Sequence, residues 1–155
     1  MEILKCHICN HHVSEALSAQ PTFCARCGAD LANPETETKL KEAPPSATYS
    51  TSDSMTSLRK QAFIYLTNKR LILIPVKLQG FGLTSALTAM TYNKMTSKSG
   101  VISIPFENVK FIRDGKFGLF VKALIVDTTS NEMVKITVPK LNEWKETIIK
   151  NVNNL

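Results

Sequence analysis

Four cysteines stand in two pairs, Cys6-x2-Cys9 and Cys24-x2-Cys27, with fourteen residues between the pairs. Thiolate is a soft donor, and a two-residue gap lets one tight turn aim both sulfurs of a pair at a single ion while the intervening chain returns with the second pair. The spacing predicts one structural Zn2+ held tetrahedrally by Cys6, Cys9, Cys24 and Cys27. Gly28 follows Cys27 where such a knuckle needs a residue tolerant of positive φ, and Asn10 holds the matching place after Cys9. Four thiolates close the coordination shell, so His7, His11 and His12 are not expected as ligands, and no position stays open for catalysis. Disulfides are the competing use of four cysteines. The N-terminus carries no apolar signal peptide, which favours a reducing cytoplasm and free thiols.

The unit that carries the cysteines, residues 1–32, is too short to bury an adequate core, so metal binding must drive its folding. It is expected to unfold without the ion. Residues 33–57 are rich in Pro, Ser, Thr and charge and predict a flexible linker. A second domain is expected over 58–155, with a first strand starting near residue 48. With the two units so separated, losing one sulfur, as in Cys24→Ser, should unfold the first and leave the second intact.

Charge is divided unevenly. Residues 1–57 carry four Lys/Arg against seven Asp/Glu, whereas residues 58–155 carry fifteen against six. A basic domain suits anionic lipid or nucleic acid, although no run of adjacent cations exceeds two. No stretch approaches the roughly twenty apolar residues that span a bilayer. The expected location is the cytoplasm, peripheral to the membrane.

In the basic half, β-branched and aromatic residues over 62–76, broken at Asn68-Lys69, predict a β-hairpin with Pro75 at its end. Leu83, Ala86, Leu87 and Met90 repeat at helical spacing within 78–98, where Phe81 and Met95 add to an apolar face that either covers the domain or meets a partner. Short strands are expected over 101–104 and 108–113, with Asp114-Gly115 as a turn, and over 122–128 and 133–138, paired around Ser130-Asn131-Glu132. Leu141, Trp144, Ile148, Val152 and Leu155 form the stripe of a closing amphipathic helix, with Pro139 just ahead of it. The fold class is mainly β, with about seven strands and one C-terminal helix.

Two resemblances follow from particular residues. The stretch LKCHICNHHVSEALSAQPTFCARCGADL, with its closing Phe-Cys-x2-Cys-Gly-x2-Leu, resembles the small zinc ribbons that precede many bacterial proteins. YLTNKRLIL, IPFENVKFIR and the terminal helix with Trp144 resemble the bacterial pleckstrin-homology-like domains, particularly the GRAM group, over about residues 48–155. That resemblance implies a seven-stranded barrel or sandwich whose open end is plugged by the helix, with Trp144 as the plug. It also implies non-enzymatic binding of lipids or protein segments. Lipid-binding members use cations after the first strand, and the nearest here are Arg59 and Lys60, with Lys69 and Arg70 at a neighbouring turn.

The sequence therefore points to a non-enzymatic adaptor that binds a protein partner or an anionic membrane surface. The alternative is a nucleic-acid-binding protein, for which the ribbon offers only Lys5 and Arg26 as cations and Phe23 as its aromatic, a residue expected to pack on the ribbon's own core. No nucleophile motif or phosphate-cradling glycine loop is present, and neither catalytic nor cofactor-binding residues are expected beyond the metal ligands.

Overall fold

A computed structural model of the protein describes residues 5–13, 22–54, 58–76, 95 and 100–155. Eight strands form one antiparallel sheet among these residues: β1 (Lys39–Glu42), β2 (Thr48–Ser50), β3 (Lys60–Thr67), β4 (Arg70–Pro75), β5 (Ile102–Pro105), β6 (Val109–Phe117), β7 (Val121–Thr128) and β8 (Met133–Thr137). The helix α1 (Leu141–Asn153) follows. Strand order is β5-β4-β3-β2-β8-β7-β6, and β1 also pairs with β3. The edge strands β5 and β6 are consecutive in the chain, joined by one 3-10 turn at Phe106–Asn108. A connection that short brings the two edges together, so the sheet curls around a single core.

β1 and β2 lie end to end along the same side of β3. Lys39, Lys41 and Glu42 pair with Thr67, Leu66 and Tyr65, and Thr48 and Tyr49 pair with Gln61 and Lys60. Between them stand Pro44 and Pro45, which have no N–H to give a ladder, although Ala43 N–H still reaches the Ile64 carbonyl at 2.9 Å. The two pieces are one strand interrupted by prolines, which reconciles eight observed strands with the seven expected. Two stretches of the segment 33–57, expected as a flexible linker, are thus paired in the sheet, and residues 55–57 lie outside the described residues. The segment's polar composition fits an interrupted strand whose β1 half alternates between half-buried and exposed positions.

The hairpin β3–β4 matches its prediction, with Ile64 opposite Leu73 and Tyr65 opposite Ile72. Asp114-Gly115 is not a turn. Both lie inside β6, and a Cβ on Gly115 would come within 2.5 Å of Ile125 Cδ1, so glycine there makes room for a neighbour. The reversal falls at residues 118–120 instead, where Gly118 takes a φ of 60°. Of the apolar segment 78–98 only Met95 is described, buried in the core with its carbonyl accepting from Ser103 N–H at 2.9 Å; the helix expected there lies outside the described residues.

The main core gathers Ile64, Leu66, Leu71, Leu73, Leu124, Val126, Val134 and Ile136 from the inner face. α1 adds Trp144 and Ile148, both buried, with Leu141 and Val152 packed beside them, and closes it as the stripe predicts, except that Leu155 lies beyond the helix and is exposed. Replacing Trp144 by Ala leaves a large void under α1 and should cost about 3–5 kcal/mol, read from urea denaturation followed by circular dichroism; a loss below about 1 kcal/mol would mean that the helix does not seal the sheet.

Candidate metal centre

The cysteines sit on two equivalent knuckles. In the first, Asn10 N–H donates to the Cys6 carbonyl at 3.0 Å and Cys6 N–H to the His11 carbonyl at 2.9 Å; in the second, Gly28 N–H donates to the Cys24 carbonyl at 2.7 Å and Cys24 N–H to the Ala29 carbonyl at 2.8 Å. Asn10 and Gly28 hold φ of 56° and 75°, which is why asparagine and glycine stand there. Ile8 N–H also points at Cys6 Sγ from 3.4 Å, the kind of donor that stabilises a thiolate.

All four sulfurs are buried and lie within 4.8 Å of one another. Cys6 Sγ is 3.6 Å from Cys27 Sγ, and Cys9 Sγ is 3.7 Å from Cys24 Sγ. A disulfide requires about 2.05 Å. A tetrahedron with metal–sulfur bonds of about 2.3 Å has edges of about 3.8 Å, so these spacings fit a four-coordinate ion. The donor chemistry fits as well. Hydrogen bonds from Cys27, Cys6 and Cys9 favour the Cys24 thiolate, while the Cys27 thiol beside it is pushed up. Four buried thiolates can all ionise only around a cation. The histidines stay outside the cluster: His7 Nε2 lies 3.1 Å from the Glu37 carbonyl oxygen.

The cluster is not a free-standing unit. Cys6, Ile8, Cys9, Val13, Cys24, Cys27 and Ala29 share one apolar cluster with Tyr65, Ile72, Ile74 and Val101. The ribbon therefore covers the outer face of β3–β4, where Tyr65 and Ile72 form a cross-strand pair. Tyr65 Oη donates to the Cys9 carbonyl at 3.4 Å, and burial pushes the Tyr65 hydroxyl up to about 12. Arg26 stacks on Phe63 at 5.2 Å.

A buried ion pair fixes the junction. Arg70, at the start of β4, donates from Nε and Nη2 to the two oxygens of Glu37 at 2.7 and 3.1 Å, and from Nη1 to the Cys27 carbonyl at 2.7 Å and Ser103 Oγ at 3.2 Å. Thr67 Oγ1 donates to Glu37 at 2.8 Å and accepts from Arg70 N–H at 3.0 Å. Burial pushes the Glu37 carboxyl up, but the hydrogen bonds and charge of Arg70, with the Thr67 hydroxyl, outweigh it and hold the group below its ordinary value.

Several expectations change here. Arg70 is a structural cation rather than a surface one. Phe23 is 40% exposed instead of packing into the ribbon core. Glu37, Tyr65, Thr67 and Ile72 escaped the sequence reading as parts of the site, yet a signal was present: AFIYL and LILI are unbroken apolar runs rather than alternating ones, the mark of a hairpin covered on both faces.

Fold and site together define the class: a mainly β domain built on one curled antiparallel sheet, closed by a C-terminal helix and carrying a four-cysteine cluster able to hold a metal ion. Among solved structures, the chain is similar to the C-terminal domain of an unknown protein from Leishmania infantum, with a TM-score of 0.51 and 14% identity over 78% of this chain and 89% of that one. It is also similar to the Vps36 N-terminal PH domain, with a TM-score of 0.48 and 15% identity over 77% of this chain and 82% of that one. At 14% identity the first of these likenesses is one of fold alone. No protein-family model matches the chain, and no curated protein matches it.

Because the two units share a core, Cys24→Ser should not spare the rest of the chain. Hydrogen exchange should show loss of protection in β3 and β4 with β6–β8 retained; unchanged β3–β4 protection would show that the ribbon is dispensable to the sheet. Glu37→Gln should cost about 3–5 kcal/mol at neutral pH by leaving Arg70 buried and unpaired. The Glu37 contribution is present above its unfolded pKa and lost as pH falls through the lower folded value, so the gap between the proteins should hold from about pH 7 to about 5 and narrow below about 4.3. A gap that stays constant well below about pH 4 would show that the Glu37 carboxylate does not carry it.

Proposed function

We propose that the chain is a non-enzymatic binding protein, in which a structural zinc ribbon is merged with a domain of the bacterial GRAM type that presents a basic surface to a protein partner or an anionic membrane in the cytoplasm. The observation that carries this reading is the sulfur tetrad itself, buried against the back of β3–β4 where four thiolates close the shell. Such a shell has no place for substrate, and the role left for the ion is to hold the fold. Zinc is the assignment because a buried tetrathiolate with tetrahedral spacing suits an ion without redox chemistry or directional preference.

The absence of an enzymatic role is supported by how the ionisable groups are used. Asp127 accepts from Arg113 at 2.7 Å, and Asp114 accepts from Lys145 at 3.0 Å, so neither is a free base beside a nucleophile. The basic character is supported by the sequence, which holds seven Lys/Arg and no carboxylate between Asp53 and Glu107; Arg59, Lys60 and Lys69 among them are exposed, while Arg70 is committed to its buried pair. Nucleic-acid binding through the ribbon is less well supported, since the Arg26 guanidinium lies on Phe63.

Elemental analysis of the purified chain should find one zinc per molecule, with four thiols that react only after a chelator is added. Absence of metal, or immediate reactivity of all four thiols, would overturn the reading.

A further inference from the structure

The turn that joins β6 to β7 is built against the usual rules for a protein surface. Phe117 pairs with Val121, leaving the three residues 118–120 as a tight connection. Gly118, with its positive φ, lets the chain reverse there. The two large side chains that follow project outward: Leu119 is 68% exposed and Phe120 90%. Phe117, by contrast, is buried beneath Arg59, whose guanidinium lies 5.6 Å from its ring. That contact ties the segment before β3 to the same hairpin, and Leu58, next to Arg59, is 82% exposed.

Charge around the hairpin end has one sign. Lys116 and Lys122 are both exposed and stand directly opposite each other across β6 and β7. Like charges in that position repel, so the arrangement lowers the stability of the hairpin it ends. Arg59 and Lys60 are exposed as well. From Gly115 to Val126 the sequence has no carboxylate. The acidic groups beside the hairpin are engaged, Asp53 by Arg113 at 3.2 Å and Lys135 at 3.5 Å, and Asp114 by Lys145.

The geometry points to this hairpin end as a bilayer anchor, in which Leu119 and Phe120 enter the acyl boundary of an anionic membrane while Lys116 and Lys122 sit among its headgroups. The inference rests on the membrane side of the proposed function and names the element that performs it. A projecting apolar turn suits a deformable bilayer, whereas a protein partner would need a matching cavity. Anionic headgroups also relieve the Lys116–Lys122 repulsion that the free protein carries. The attraction is one of charge and apolar area, with no pocket selecting a particular headgroup.

The test uses the full metal-loaded chain with vesicles of phosphatidylcholine alone and of phosphatidylcholine with about a third phosphatidylglycerol. Leu119→Ser with Phe120→Ser should lower partitioning onto the anionic vesicles at least about tenfold with unchanged thermal stability, since each side chain loses its transfer from water. Lys116→Gln with Lys122→Gln should lower it on the order of twentyfold, at about fivefold per charge. Phe120→Trp should give a new emission that shifts to the blue on anionic vesicles and is quenched by brominated acyl chains. If the serine variant partitions like the parent, or the emission added by Phe120→Trp does not move, the anchor is wrong even though membrane binding stands. If the parent binds neither vesicle while retaining its zinc, the membrane inference falls and the protein-partner form of the proposed function remains. Concentration-dependent self-association abolished by the serine variant would identify the turn as a contact between copies and overturn the anchor.

Discussion

A guanidinium taken out of water must find partners for its charge and its donors, and Arg70 finds them in three separate parts of the chain. Glu37 supplies the countercharge, the Cys27 carbonyl joins it to the second knuckle, and Ser103 joins it to β5. Because Arg70 itself opens β4, one side chain connects the sulfur cluster, the first strand's approach and the sheet edge. Apolar packing is tolerant of small slips, but a bidentate ion pair with further fixed acceptors is not. The burial of Tyr65 and Ile72 supplies much of the adhesion between ribbon and sheet, and Arg70 sets its register.

This connection changes what a metal held by the four sulfurs would do for the molecule. A ribbon on a free tether would fold and unfold by itself, and its ion would stabilise that short segment only. Here the ribbon occupies the outer face of β3–β4, so an ion held by the sulfurs would stabilise a surface that the sheet cannot leave bare. β3 and β4 contribute to two cores at once, with Ile64, Leu66, Leu71 and Leu73 on the inner face and Tyr65, Ile72 and Ile74 on the outer. The opposite sheet face solves the same problem differently. Ile125 is buried there through the close approach that Gly115 permits, and it pairs across the strands with Lys135, whose ammonium reaches the Lys116 carbonyl at 2.9 Å.

Much of the architecture was legible because it rests on local chemistry. The clustering of the four cysteines follows from turn geometry, and Asn10 and Gly28 report the backbone conformation that each knuckle needs. The β3–β4 hairpin follows from β-branched residues around Asn68, and the closing helix from the spacing of Trp144 and Ile148. The errors share one cause. Residues 33–57 look unstructured when read by composition, because the partners that make β1 and β2 strands lie on β3 and β8. Asp114-Gly115 has the residue types of a turn, and only the position of Ile125 shows that the glycine is there for space.

The sequence by itself determined the parts: four soft donors at the spacing of two knuckles, strands with their apolar residues, a helix with a sealing stripe, and a basic second half. Those properties are set within a few residues, by backbone conformation and side-chain period. Tertiary structure decided that the parts are one body, that Arg70 is committed to a buried pair, and that Leu119 and Phe120 are left in water. Burial and pairing belong to what folds against a residue, and the partner in each case lies far away along the chain.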